Sequence, residues 1–370
     1  GDRGPGAGLP RARATRLMKF RELLRNLALS VTVTIVFLGL IEGGIRIARM
    51  APSRTLSFPD EKTWEKYPGP FEPGQSFVDR LNPRLPHRIT INALGFRGED
   101  FDEAKAPGVL RILCLGDSYT FGDYVNDDET FPAALQAELR RRLPGRKLEV
   151  INGGVNGYTI TDEAALAREK GFALHPDVIV LGFVMNDLAD LTRKVSSRDN
   201  QRNEAREMSR SYLTPIKRIL RQTALYNWLF EMKARVMAET KMDPTLQQVP
   251  QENLMHPPFG PRTEALFSQY ASALDALAAD CRARGIRLVF VIFPFYQQVV
   301  KGAPADAQTQ LSEIGREAGL PVVDLLPSFL GRGATAGDLF LMPLNHHPSA
   351  EGYRVAAGVV GAEIVSIVSP

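Results

Sequence analysis

Leu113-Cys-Leu-Gly-Asp-Ser-Tyr-Thr-Phe-Gly122 carries an apolar run straight into a polar turn, and the fold follows from what that run is. Arg111 to Leu115 is short, apolar and followed by turn residues, the pattern of a strand buried on both faces. Comparable runs recur at Leu148 to Ile151, Val178 to Phe183, Arg287 to Phe293 and Val322 to Asp324. Between or after them, residues near 128–142, 161–172, 262–284, 305–318 and 349–366 carry apolar residues at helical spacing. Such alternation implies an α/β fold, with right-handed crossovers and a parallel sheet covered by helices on both faces. A serine at the carboxyl end of a parallel strand lies at the crevice where open α/β sheets place ligands. Backbone N–H groups there face developing negative charge. Alone, Gly116-Asp-Ser118 equally suits a serine capping a helix N-terminus.

At 370 residues the chain is long enough for a sizeable core. Its 44% hydrophobic and 24% charged residues match ordinary globular composition, which excludes a disordered chain. A net charge of +3, with the basic residues gathered near the N-terminus, argues against nucleic acid as a partner. The two cysteines, Cys114 and Cys281, form no CxxC pair and no metal-ligand spacing; they read as buried thiols, and no metal or cofactor is expected.

Arg11, Arg13, Arg16, Lys19, Arg21 and Arg25 precede LALSVTVTIVFLGLI, the uncharged run from Leu27 to Ile41. Leu23, Leu24 and Ile45 extend it toward the roughly 20 residues that cross a bilayer, with Arg25 snorkelling. A core helix is a poor fit to so basic a flank, and Glu42-Gly-Gly-Ile-Arg offers no good signal-peptide cleavage site. The expectation is one N-terminal transmembrane helix over residues 25–45, after a basic cytoplasmic segment 1–24. The basic excess keeps the N-terminus in the cytoplasm and puts the rest outside, as in a single-pass inner-membrane protein with a periplasmic domain. Gly1 to Leu17 lacks apolar periodicity, and Met18-Lys-Phe-Arg-Glu is the expected natural start.

Residues 46–107 read as a stalk and N-terminal arm, rich in Pro and charge, with a short alternating strand at Arg88-Ile-Thr-Ile and a tight turn at Asn92-Ala-Leu-Gly-Phe-Arg-Gly98. The main domain is expected over 108–370. It is interrupted at 188–258 by a charged insertion with a helix from about Leu213 to Met237. Lying after a strand's carboxyl end, that insertion is either a substrate-shaping lid or a solvated excursion.

Four short blocks in fixed order resemble the GDSL/SGNH hydrolase family: Gly116-Asp-Ser118, Asn152-Gly-Gly-Val-Asn-Gly157, Val184-Met-Asn-Asp187 and His347-Pro-Ser-Ala-Glu-Gly352. The arm sequence Asn92 to Gly98 resembles a segment preceding the first block in membrane-anchored members. The resemblance implies a three-layer α/β/α domain with a flavodoxin-like parallel sheet. It also implies Ser118 as nucleophile, His347 as general base, and an oxyanion hole made by the Ser118 N–H, the Gly157 N–H and the Asn186 side chain. The chemistry agrees, because a serine hydroxyl needs a base and imidazole serves near neutral pH.

Two positions depart from the pattern. Val184 replaces the usual glycine of the third block, and Asn345 and Leu344 stand where the family places an aspartate before the histidine. Asn345, a main-chain carbonyl or Asp338 is left to orient His347. His346 is set aside as the base, and Arg97 is expected to tie the arm to the domain. The implied activity is hydrolysis of O-acyl or acetyl esters on an envelope carbohydrate or lipid through an acyl-Ser118 intermediate. The alternatives are O-acyl transfer to an envelope polysaccharide, or a silent binding protein that kept the fold.

Overall fold

A computed structural model of the chain describes residues 9–48, 56, 58–59, 61–79, 84–192, 197–201, 203, 220, 223–226, 228–229, 254 and 257–369. Most of the 188–258 insertion, and most of the helix expected at 213–237, lie outside the described residues.

The apolar runs form five parallel strands. These are β3 (Leu110–Gly116), β4 (Leu148–Gly154), β5 (Val178–Phe183), β6 (Arg287–Ile292) and β7 (Val322–Asp324), in the spatial order β4-β3-β5-β6-β7. Every residue of β3 and β5 is buried, which is why those runs do not alternate. Helices Phe131–Arg142 and Ala350–Val368 pack together on one face. Ile160–Glu169, Pro261–Arg282 and Asp306–Glu317 cover the other. The result is the expected three-layer α/β/α sandwich with flavodoxin-like strand order. The order reverses between β3 and β5, so the crevice lies where their carboxyl ends diverge. Cys114 and Cys281 are free and buried in this core, and burial pushes the Cys281 thiol up to about 11.

The arm is more ordered than its composition suggests. The strand seen in the sequence, β2 (His87–Thr90), pairs antiparallel with β1 (Ser76–Asp79), which sequence patterning misses because its side chains are half-exposed without alternation. Two buried arginines fasten the arm to the domain. Arg111 on β3 donates to Glu149 and to the carbonyls of Asp102, Glu103 and Leu174. Arg97, in the arm's turn, reaches the loop after β3, and its main chain bridges Asn152 at the sheet edge.

One described helix is long and apolar enough to cross a membrane: the stretch Lys19–Ile47, part of α1 (Leu9–Ile47), with a mean hydropathy of 2.0 in its most apolar window. A signal sequence meets the same criterion. Helix α1 outruns the apolar run at both ends. Thr32 and Thr34 return their hydroxyls to the carbonyls of Ala28 and Ser30, so these two hydroxyls are satisfied inside the helix. At its far end Glu42 accepts the backbone N–H groups of Ala224 and Leu225, both at 2.8 Å, and Ile45 is buried.

Candidate active site

Ser118 stands where β3 ends, as the first residue of the short helix Ser118–Phe121, with Asp117 as its N-cap. The buried Asp117 carboxylate accepts the Tyr119 N–H at 2.8 Å and an Asn186 side-chain N–H at 2.9 Å. Burial raises the Asp117 pKa, and these donors partly offset the rise. The helix lies so close to β4 that a Cβ on Gly154 would come within 2.2 Å of the Phe121 nitrogen. Only glycine admits that approach.

Arg97 sets the following loop. Its guanidinium side chain is fully buried, and its five N–H groups go to Asp127 and to the carbonyls of Phe121, Gly122, Val125 and Arg88. The arm therefore braces the turn that carries Ser118, in line with the tying role expected of this arginine. Within the braced loop, Tyr124 adopts a left-handed conformation (φ 67°), uncommon for a bulky residue. Beside it, burial pushes the Asp123 carboxyl up to about 7, and the Asn156 amide binds both its oxygens at 2.9 and 2.8 Å.

The second and third blocks close the crevice. Gly157, left-handed at φ 72°, lies in the turn after β4, and the Val155 N–H of that turn binds the Gly116 carbonyl at 2.9 Å. The Gly157 carbonyl accepts from Ser197 Oγ at 2.7 Å. Asn186 opens the short helix Asn186–Asp190 after β5, so its bond to Asp117 spans the switch point. Val184 makes the strand-end turn without glycine: its N–H binds the Asp187 carboxylate at 3.1 Å and its carbonyl accepts the Asp187 N–H at 2.9 Å. Behind this turn Glu163 and Asp187 are buried near one another. Neither Glu163 oxygen, nor Oδ1 of Asp187, has a hydrogen-bond partner among the described residues. Burial first, and then neighbouring carboxylates including Asp117, push both acids well above the usual carboxylate range.

His347 comes from the loop before helix Ala350–Val368 and meets Ser118 across the crevice, with Nε2 2.9 Å from Ser118 Oγ. Its Nδ1 is 2.5 Å from Oδ1 of Asn345, which also accepts the His347 backbone N–H at 2.9 Å. A backbone N–H only donates, so the Asn345 amide must turn its oxygen inward. That oxygen then requires the proton on Nδ1 and leaves the Nε2 lone pair facing the serine hydroxyl. Of the groups expected to orient His347, Asn345 is thus the one at Nδ1, while the Asp338 main-chain carbonyl accepts from Ser349 Oγ at 2.6 Å. Burial, reinforced by nearby His346, lowers the His347 pKa to about 4, since no carboxylate supports the imidazolium. His346 stacks on Tyr296 with ring centroids 4.1 Å apart, away from the serine, and its carbonyl accepts from the Tyr119 hydroxyl at 3.0 Å.

The crevice thus brings together Ser118, His347, Asn345 and Asn186, with Gly157 on the turn beside them. Sequence reading misses Tyr119, Tyr124 and Tyr296, whose parts depend on backbone conformation and long-range packing and leave no local signal. Among the described residues, no group of three or more His, Cys, Asp or Glu is placed to hold a metal.

Comparison with solved structures finds distant likenesses. A lipase/acylhydrolase from Enterococcus faecalis is 16% identical, covering 70% of this chain and 97% of its own, with a TM-score of 0.41. An acetylxylan esterase from Geobacillus stearothermophilus is also 16% identical, covering 69% and 93%, with a TM-score of 0.41. No curated protein matches the chain significantly. The family model for GDSL-like lipases and acylhydrolases matches residues 114–355, most of the chain, from the strand before Ser118 to the helix after His347. The chain therefore belongs to the GDSL-like lipase/acylhydrolase family and is a carboxylic ester hydrolase.

Proposed function

We propose that the chain cleaves O-acyl esters, acetyl esters among them, on a cell-envelope carbohydrate or lipid by way of an acyl-Ser118 intermediate. The observation that carries this reading is the contact of His347 Nε2 with Ser118 Oγ at 2.9 Å, with Asn345 holding the proton on Nδ1. In the first step His347 takes the hydroxyl proton as Ser118 attacks the ester carbonyl. The Ser118 and Gly157 N–H groups and the Asn186 amide face the resulting oxyanion, and His347 returns its proton to the departing alcohol. Water repeats the sequence on the acyl-enzyme.

Residues 25–45 would hold the domain 108–370 at the outer face of the inner membrane, with residues 1–24 inside and 46–107 as stalk and arm. A surface-borne acylated polymer or lipid is then the substrate within reach. The same acyl-enzyme passes its acyl group to a sugar hydroxyl if such an acceptor excludes water. Release to water compared with transfer to an oligosaccharide separates esterase from acyltransferase.

Hydrolysis of p-nitrophenyl acetate by wild type and Ser118→Ala tests the nucleophile. A loss of about 10,000-fold or more is expected. Equal rates in the two proteins would refute the reading and favour a binding role.

A further inference from the structure

An oxyanion donor helps only if it is aimed before charge appears, and a backbone N–H on a glycine is hard to aim, because both torsions beside it turn easily. Gly157 is left-handed at φ 72° in the turn after β4. Two peptides meet at its Cα. The one before it carries the N–H assigned to the oxyanion, and the Asn156 side chain beside it donates to both oxygens of Asp123. The one after it is bonded at both ends: the Tyr158 N–H donates to the Val155 carbonyl at 3.0 Å, and the Gly157 carbonyl accepts from Ser197 Oγ at 2.7 Å.

The last of these bonds comes from outside the block, from the start of the insertion after β5. Residues 197–201 are helical, so Ser197 and Gln201, four positions apart, face the same way. Gln201 Oε1 accepts the hydroxyl of the buried Tyr158, the residue after Gly157, at 3.1 Å. Between them Arg198 is buried and pairs with Glu169 at the end of helix Ile160–Glu169. Three contacts from one helical turn thus seat this stretch of the insertion on the domain, which a solvated excursion would not do.

We propose that Ser197 is a positioning residue for the oxyanion hole: by holding the Gly157 carbonyl, its hydroxyl fixes the angle at which the Gly157 N–H meets the ester oxygen as that oxygen gains charge. The inference rests on the proposed catalytic reading of Ser118, Gly157 and Asn186. It gives the insertion a part in the reaction through a residue that lies outside all four sequence blocks.

Ser197→Ala removes the hydroxyl, and Ser197→Thr keeps it. In the full-length protein Ser197→Ala is expected to lower kcat on p-nitrophenyl acetate about 10-fold, the effect of one lost hydrogen bond, with KM unchanged. Inactivation by a serine-reactive phosphonate should slow by a similar factor, because the phosphonyl oxygen gains charge in the same place. Ser197→Thr, with the same donor, is expected to stay within about 3-fold of wild type in both assays. A change in KM alone, an equal loss in the two variants, or no loss in Ser197→Ala would overturn the proposal. Ser118→Ala and Asn186→Ala in the same assay keep the failures apart: full activity in either sinks the catalytic reading itself, whereas losses in both beside a fully active Ser197→Ala sink only the role of Ser197.

Discussion

The two halves of the crevice are built on different principles. The serine half grows out of the sheet. Ser118 follows a fully buried strand, Asp117 caps its helix, Asn186 ties it to the next strand, and four Arg97 hydrogen bonds brace the loop beyond. The histidine half is a loop held by side chains and a few main-chain bonds, among them Leu341 N–H to the His347 carbonyl at 2.9 Å, Tyr119 to the His346 carbonyl and the His346–Tyr296 stack. Buried backbone on the serine side leaves few alternative arrangements. On the histidine side the position of one imidazole depends on a neutral amide. The lesson is that rigidity can be shared unequally across one site, and the softer half then needs its own supports.

The sharpest test of the serine half is Asn186→Ala. If the Asn186 amide faces the oxyanion, kcat falls about 100- to 1000-fold while KM changes little. A loss confined to KM would reduce Asn186 to a brace for Asp117. The histidine half is tested by pH. Burial holds His347 near 4, so it stays neutral, and able to accept a proton, well below the pH at which an ordinary histidine charges. The acid limb of kcat/KM in the wild type is therefore expected near pH 4. Asn345→Asp should move it upward, since a carboxylate favours the imidazolium. An unmoved limb would mean that Asn345 does not govern the base.

The smallest effect concerns stability behind the serine half. Glu163 keeps its proton in the folded chain at pH values where the unfolded chain has released it. Its raised pKa makes folding less favourable as pH rises above the ordinary glutamate value. Glu163→Gln removes that penalty and should raise the melting temperature by a few degrees at pH 8 and hardly at all at pH 4. The same rise at both pH values would contradict the assignment.

Much of the serine half was legible in the sequence because doubly buried strands must be apolar runs, and because Gly154 and Gly157 stand where close approach or a left-handed turn leaves little choice. His347 was legible through its proline and the helix start that follows. Tyr124 was not, since nothing in Gly-Asp-Tyr-Val-Asn announces a left-handed tyrosine; the conformation comes from Arg97, 27 positions earlier in the chain. The β1–β2 hairpin escaped for a related reason. Ser76–Asp79 is half-exposed on an arm whose order comes from Arg97 and Arg111 rather than from its own periodicity. At Val184, which stands where the family pattern has glycine, Asp187 supplies a bond that shapes the turn.

Glu42 grips the backbone at Ala224 and Leu225 from the far end of α1. If that helix lies in a bilayer, this contact joins the outer end of the anchor to the insertion that follows β5, so the stalk is not the sole link between anchor and chain beyond it.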